Sequence, residues 1–88
     1  MEAQKARQAW EQFLQLIREK VPQDQTFSTW FEPLEFVEFV EAEGERKLVI
    51  SGPNRFVGEF IEEHYARLVS NVVRSVYGMG VKVERSGS

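Results

Sequence analysis

Apolar residues recur every three or four positions in the first quarter of the chain, which is the pattern of an amphipathic helix. The polar positions between them hold Gln, Glu, Lys and Arg, all good helix formers. Pro22 closes the segment, because the residue before a proline avoids helical geometry. The pattern therefore predicts a first helix from Ala3 to Val21, with its apolar stripe at Ala6, Trp10, Phe13, Leu14, Ile17 and Val21.

A second apolar pattern of the same period begins after Pro53 and continues to Tyr77. Asn54 is suited to cap a helix, and Gly78 supplies the usual stop just beyond the last periodic residue. At about 100° per residue the stripe drifts to one side along its length, so we predict a bend or break near His64. The stripe consists of Val57, Phe60, Ile61, Tyr65, Leu68, Val69, Val72, Val73 and Val76.

The segments between these helices predict one short helix and three strands. Phe27, Trp30 and Phe31 recur at helical spacing and are expected to point inward from a helix over 23–31. β-Branched and aromatic content favours a strand over 34–43, although its mixed spacing leaves a helix open. A turn over 44–46 leads to a strand over 47–51, and 81–84 alternates strictly. The order α-α-β-β-α-β predicts an α+β fold, with a three-stranded sheet and helices packed on one face.

Two aromatic residues are candidates for contacts outside the chain. Phe56 lies about 100° from Val57 on the helical wheel, in the first turn, where a large ring gains least from the core. It could instead cover the end of the sheet. Trp10 belongs to the first apolar stripe, which favours the core, but the free end of a helix can overhang its domain. A half-exposed Trp10 would then be an anchor for a protein partner.

The composition argues against an enzyme. The 88 residues suffice for one small domain, and they include no cysteine and one histidine, so no thiol chemistry and no zinc–thiolate site is possible. His64 follows two glutamates, but consecutive helix residues point in different directions and no second imidazole completes a metal site. We expect no catalytic residue, no metal and no cofactor. The absence of thiols and of a long apolar run fits a cytoplasmic protein that does not enter a membrane.

The charge pattern argues against strong nucleic-acid binding. The net charge is −3, and the 11 basic residues are scattered rather than gathered on one face. The alternative of a weak single-stranded nucleic-acid binder would use Arg46, Lys47 and Arg55 beside exposed aromatic rings. A purely structural adaptor is a third hypothesis.

Two motifs resemble the N-terminal domain (domain I) of the bacterial replication initiator DnaA. The first is the octapeptide from Phe27 to Leu34, FSTWFEPL, and the second is PNRFV from Pro53, followed by IEEHY from Ile61. Trp10 stands some twenty residues before the first motif, as the family pattern requires. The similarity covers about residues 6 to 84.

The resemblance implies a KH-like fold and a protein–protein role in replication initiation: self-association, recruitment of the replicative helicase DnaB and binding of initiation regulators. It implies self-association for Trp10, which favours an exposed ring, and helicase contact for Phe56. Asn54, Arg55 and Thr26 would lie at the helicase-facing rim, Thr26 standing where some members carry an acidic residue.

The chain departs from the family pattern in two places: the hairpin between Leu34 and Pro53 and the segment before Phe27 are both longer. No nucleotide-binding loop, helix-turn-helix or basic Gly-x-x-Gly loop is present, so KH-style RNA clamping is not expected. We expect an isolated interaction domain over 1–85, with 86–88 as the start of a linker or a cloning remnant.

Overall fold

The computed structural model describes residues 2–86 and begins with two helices. Helix α1 spans Ala3–Lys20 and turns the predicted stripe toward the core. Leu14 is only partly buried, and the buried Val21 lies one residue beyond the helix. Helix α2 spans Asp24–Thr26 and continues into a π-helical turn over Phe27–Phe31. Phe27 and Phe31 are buried as predicted, whereas Trp30 is only half-buried and lies at the surface.

Three strands form one mixed sheet in the order β1-β2-β3. Strand β1 spans Glu35–Ala42 and pairs antiparallel with β2, Glu45–Ser51, while β3, Val81–Arg85, pairs parallel with β2. Glu43 and Gly44 make the hairpin turn with positive φ angles. The predicted turn over 44–46 is therefore slightly misplaced, because Glu45 and Arg46 already belong to β2.

The long helix is broken where the drift of its stripe predicts a break. Helix α3 spans Arg55–His64 and helix α4 spans Ala66–Tyr77, separated by Tyr65 with φ −125° and ψ 15°. Asn54 caps α3 as predicted, since its Oδ1 accepts a hydrogen bond from the backbone N–H of Val57 at 3.0 Å. The break lets each half turn its own apolar residues toward the core.

The helices cover one face of the sheet, which confirms the α+β class and the predicted layering. Leu48 and Ile50 of the central strand belong to the core, and α1 packs against both α4 and β1. Tyr77 ties these layers together: its hydroxyl donates to the carbonyl of Ala6 at 2.9 Å, and its ring stacks on Phe39. Burial raises the pKa of the Tyr77 phenol well above its ordinary value.

Arg46 fastens the β1–β2 hairpin to the end of α4. Its guanidinium donates to the carbonyl of Tyr77 at 2.7 Å and to that of Met79 at 3.2 Å, and its Nε lies 3.4 Å from Glu41 Oε2. A cation at these carbonyls complements the negative end of the helix dipole. The same side chain lies over the ring of Phe39.

A cleft of about 590 Å³ separates α3 and the start of α4 from the sheet. Apolar side chains from both layers line it, including the partly exposed Val37 and Val83. None of the helices within residues 2–86 is long and apolar enough to cross a membrane. Of the predicted linker over 86–88, Ser86 still donates its backbone N–H to Ile50, and the last two residues lie outside the described range.

Candidate protein-interaction surface

Four aromatic side chains meet at the surface where α3 lies beside the π-helical turn. We name Trp30, Phe56, Phe60 and His64 the aromatic patch. Trp30 stacks on Phe60 with ring centroids 3.7 Å apart and planes 6° apart. Phe56 lies 5.8 Å from Trp30 and 6.3 Å from Phe60, and His64 lies 4.4 Å from Phe60. The patch therefore joins two segments that are distant in the sequence.

Phe56 is an exposed ring of the patch, more exposed than Trp30 and Phe60. It stands in the first turn of α3, where the following residue, Val57, points into the core. The helical rotation of about 100° per residue turns Phe56 away from that core, and 65% of it is exposed to solvent. Trp30 and Phe60, which are half-buried, hold one side of the ring and leave the other side free.

The predicted rim residues lie on the two segments that build the patch. Arg55 forms an ion pair with Glu59 at 2.8 Å, four residues along the same helix, and both side chains are largely exposed. The side chain of Asn54 is engaged in capping α3. Thr26, half-buried, donates its hydroxyl to Gln23 Oε1 at 3.2 Å and lies four residues before Trp30. Asn54, Arg55 and Phe56 thus form one contiguous surface, and Thr26 lies on the other segment that builds the patch.

Trp10 is buried, as its place in the apolar stripe favours, so the alternative of an exposed anchor at this position is wrong. Only 7% of the residue is exposed, and its ring stacks on Phe13 with centroids 4.7 Å apart. Phe36 of β1 lies 6.5 Å away and carries the guanidinium of Arg7 over its own ring. The strand thus covers the helix end that appeared free in the sequence. Trp10 lies apart from the aromatic patch, and its role in self-association stays a prediction.

Trp30 and Phe60 are the members of the patch that the sequence analysis placed in the core. A usable signal was present, since Phe56 and Phe60 are four residues apart and therefore neighbours on one helix face. No comparable signal located Trp30, because its stacking on Phe60 depends on how the π-helical turn docks against α3. No group of three or more acidic, histidine or cysteine side chains within residues 2–86 could hold a metal ion.

Comparison with known proteins decides the family. Residues 7–75, most of the chain, match the family described as the DnaA N-terminal domain. The chain belongs to this family. The matched range includes α1 from Arg7 onward, both motifs and the whole aromatic patch of this DnaA N-terminal domain.

Curated relatives agree with this assignment. The domain is 32% identical over 78 residues to the chromosomal replication initiator protein DnaA of Flavobacterium psychrophilum, covering 89% of this chain and 15% of the relative. It is 30% identical over 74 residues to the protein of the same name from Bacteroides fragilis, covering 84% of this chain and 14% of the relative. The corresponding protein of Thermodesulfovibrio yellowstonii is 31% identical over 75 residues, which cover 85% of this chain and 16% of the relative. The chain thus spans about one sixth or less of the length of these initiators.

Proposed function

We propose that this DnaA N-terminal domain is a non-catalytic interaction module, and that its aromatic patch contacts the replicative helicase DnaB and regulators of initiation. The observation that carries the proposal is the exposure of Phe56 beside two supporting rings. Aromatic side chains concentrate binding energy in protein interfaces, and a ring already held by neighbours loses little conformational entropy when a partner covers it. The exposed ion pair of Arg55 and Glu59 supplies a polar rim.

Replacing Phe56 with alanine should weaken binding to the replicative helicase of the same organism by about 1–3 kcal/mol, which is about 5- to 150-fold in Kd. The exposed ring contributes little to the core, so the free energy of unfolding should fall by less than about 1 kcal/mol. Isothermal titration calorimetry measures the first quantity, and thermal unfolding followed by circular dichroism measures the second.

Met79→Ala is the matched control. Met79 is 75% exposed and lies beyond the C-terminal end of α4, whereas the patch residues of α3 all precede the N-terminal end of that helix. The 12 residues of α4, roughly 18 Å of helix, lie between Met79 and His64 of the patch. Helicase binding should not change in this variant. Equal losses of affinity in both variants would show that general surface hydrophobicity, not the patch, carries the binding.

Self-association is the second part of the proposal, and it is placed on the surface above Trp10. Trp10 itself has little exposed area, so a second copy would contact its covering residues, Arg7 and Phe36. Arg7 lies on the exposed side of α1 with its guanidinium 5.4 Å from the centre of the Phe36 ring. In a symmetric dimer each change occurs in both copies, which doubles its effect at the interface.

Reversing the charge in Arg7→Glu should therefore weaken the dimer by at least about 1 kcal/mol, because it places an acidic side chain on this surface in both copies of an already acidic domain. Sedimentation velocity over a range of concentrations measures this equilibrium. Lys20→Glu makes the same charge change at the other end of α1 and should leave the profile unaltered. A wild-type profile for Arg7→Glu would remove the proposed location of self-association.

No observation favours the alternative of single-stranded nucleic-acid binding. Arg46 donates to two backbone carbonyls, Lys47 lies 3.7 Å from Glu45, and Arg55 pairs with Glu59. Each cation of that hypothesis thus has a protein partner in place of a phosphate. The alternative stays a prediction, which binding of an oligonucleotide that falls steeply with added salt would support.

A further inference from the structure

Arg85, the last residue of β3, reaches across the cleft to helix α3. Its Nε lies 3.1 Å from Glu62 Oε1, and its Nη1 is 3.4 Å from the backbone carbonyl of Arg55. Only 25% of the Arg85 side chain is exposed. One side chain thus contacts both the first turn and the third turn of the helix that carries Phe56 and Phe60.

Gly58 provides the space that this contact requires. It is a buried residue of α3, and its missing Cβ would overlap Arg85 Nη1 and lie 2.6 Å from Arg85 Cδ. Glycine is a poor residue for the middle of a helix, because it costs more conformational entropy than alanine. Its φ angle is that of an ordinary helix, so the close approach of Arg85 is the local feature that calls for a glycine here.

Helix α3 is otherwise attached through Val57 and Ile61, which reach the core, and through Phe56 and Phe60, which pack on Trp30. The cleft lies between this helix and the sheet. The first turn of a helix also lacks internal hydrogen-bond partners for its N–H groups, so it opens easily unless it is held. Asn54 caps this turn from within the same segment, whereas Arg85 holds its backbone from β3 through the carbonyl of Arg55.

We propose that Arg85 and Gly58 position α3, and with it Phe56, for partner binding. This inference rests on the proposed function of the aromatic patch. Arg85 acts through α3 and is not itself a contact residue. A first turn held by the sheet presents Phe56 in one orientation, so less conformational freedom is lost when the partner binds.

The test is Arg85→Met, which keeps an apolar side chain of similar length and removes the guanidinium. We expect the Kd for the replicative helicase to rise about two- to tenfold, as for the ordering of one or two side chains. Backbone amides of α3 should exchange with solvent faster in the free domain, while those of α4 should keep their rates. Lys82→Met makes the same charge change on the same strand, and neither quantity should change in it.

Gly58→Ala separates positioning from stability. The new methyl group must displace the Arg85 guanidinium, so helicase binding should weaken as in Arg85→Met. Alanine favours the helix, so the melting temperature should stay equal or rise. Combining the two substitutions should weaken binding no further than either alone, since both act on one contact.

The inference fails if Arg85→Met retains wild-type affinity and wild-type exchange in α3 while Phe56→Ala loses affinity. If Phe56→Ala binds the helicase as tightly as the wild type does, it is the proposed function of the aromatic patch that fails. In that case the exchange rates of the free domain, which need no partner, still decide whether Arg85 holds α3.

Discussion

Replacing Trp10 with alanine should lower the free energy of unfolding by about 3–5 kcal/mol, the cost of removing a large buried ring. Trp10 stacks on Phe13 and lies beside Phe36, so the substitution opens a cavity between α1 and β1. In a domain of this size each kcal/mol shifts the melting temperature by about 4–8 °C, so Tm should fall by at least about 12 °C. Thermal unfolding followed by circular dichroism measures the shift.

Two variants show what this result means for self-association. Trp10→Phe keeps an aromatic ring in the core and should lose much less stability than Trp10→Ala. Phe56→Ala, at an exposed position, should unfold almost as the wild type does. If Trp10→Ala retains the wild-type Tm and only the dimer is lost, then Trp10 is a contact residue and its burial does not describe the domain in solution. Otherwise a weaker dimer in Trp10→Ala reports partial unfolding, and Arg7→Glu is the cleaner probe.

The fold could be predicted from the sequence largely because its helices and their ends have local causes. Asn54 caps α3 through an atom three residues away from its partner, and Gly78 ends α4 by its own backbone conformation. The break at Tyr65 follows from the drift of the apolar stripe. The apolar residues before the break and those about 12 positions later lie on different faces, and a straight helix cannot turn both faces toward one core. The cap and the stop each lie within about one helical turn, and the drift is read within a single helical segment.

The candidate site could be predicted only where one helix defines it. Phe56 was located because its position relative to Val57 follows from helix geometry alone. The exposure of Trp10 could not be predicted in this way. The periodicity shows which way its ring points but not whether another segment covers it. The covering residue is Phe36, 26 positions later, and its place over α1 depends on how the sheet docks.

The parts of the candidate site that the sequence does not predict depend on contacts between distant segments. Trp30 of the π-helical turn stacks on Phe60 of α3, and Arg85 of β3 meets Gly58 from 27 positions later in the chain. In the sequence, Gly58 is only a poor helix former within a helical pattern. That it leaves space for the Arg85 side chain is evident only from the position of β3 in the fold. The sequence therefore identifies single anchors well and the surfaces that combine them poorly.

Replacing Gly78 with alanine should lower the free energy of unfolding by about 2–4 kcal/mol. Gly78 has φ 102° and ψ 179°, a region that only glycine occupies readily, and forcing another residue into it costs about 1–3 kcal/mol. The added Cβ would also lie 3.0 Å from Arg46 Nη1 and press on the guanidinium that holds the ends of α4 and of the hairpin together. Urea unfolding at equilibrium measures the loss.

Gly80→Ala distinguishes the cost of backbone strain from the cost of the contact with Arg46. Gly80 also has a positive φ, 77°, but no atom lies within 4 Å of the Cβ it would gain, so only backbone strain of about 1–2 kcal/mol is expected. The extra cost at Gly78 should shrink in an Arg46→Ala background, where the guanidinium is absent and the two substitutions share one contact. If Gly78→Ala and Gly80→Ala cost the same in both backgrounds, Arg46 does not fasten the hairpin to α4, and the ends of these elements are held by the backbone alone.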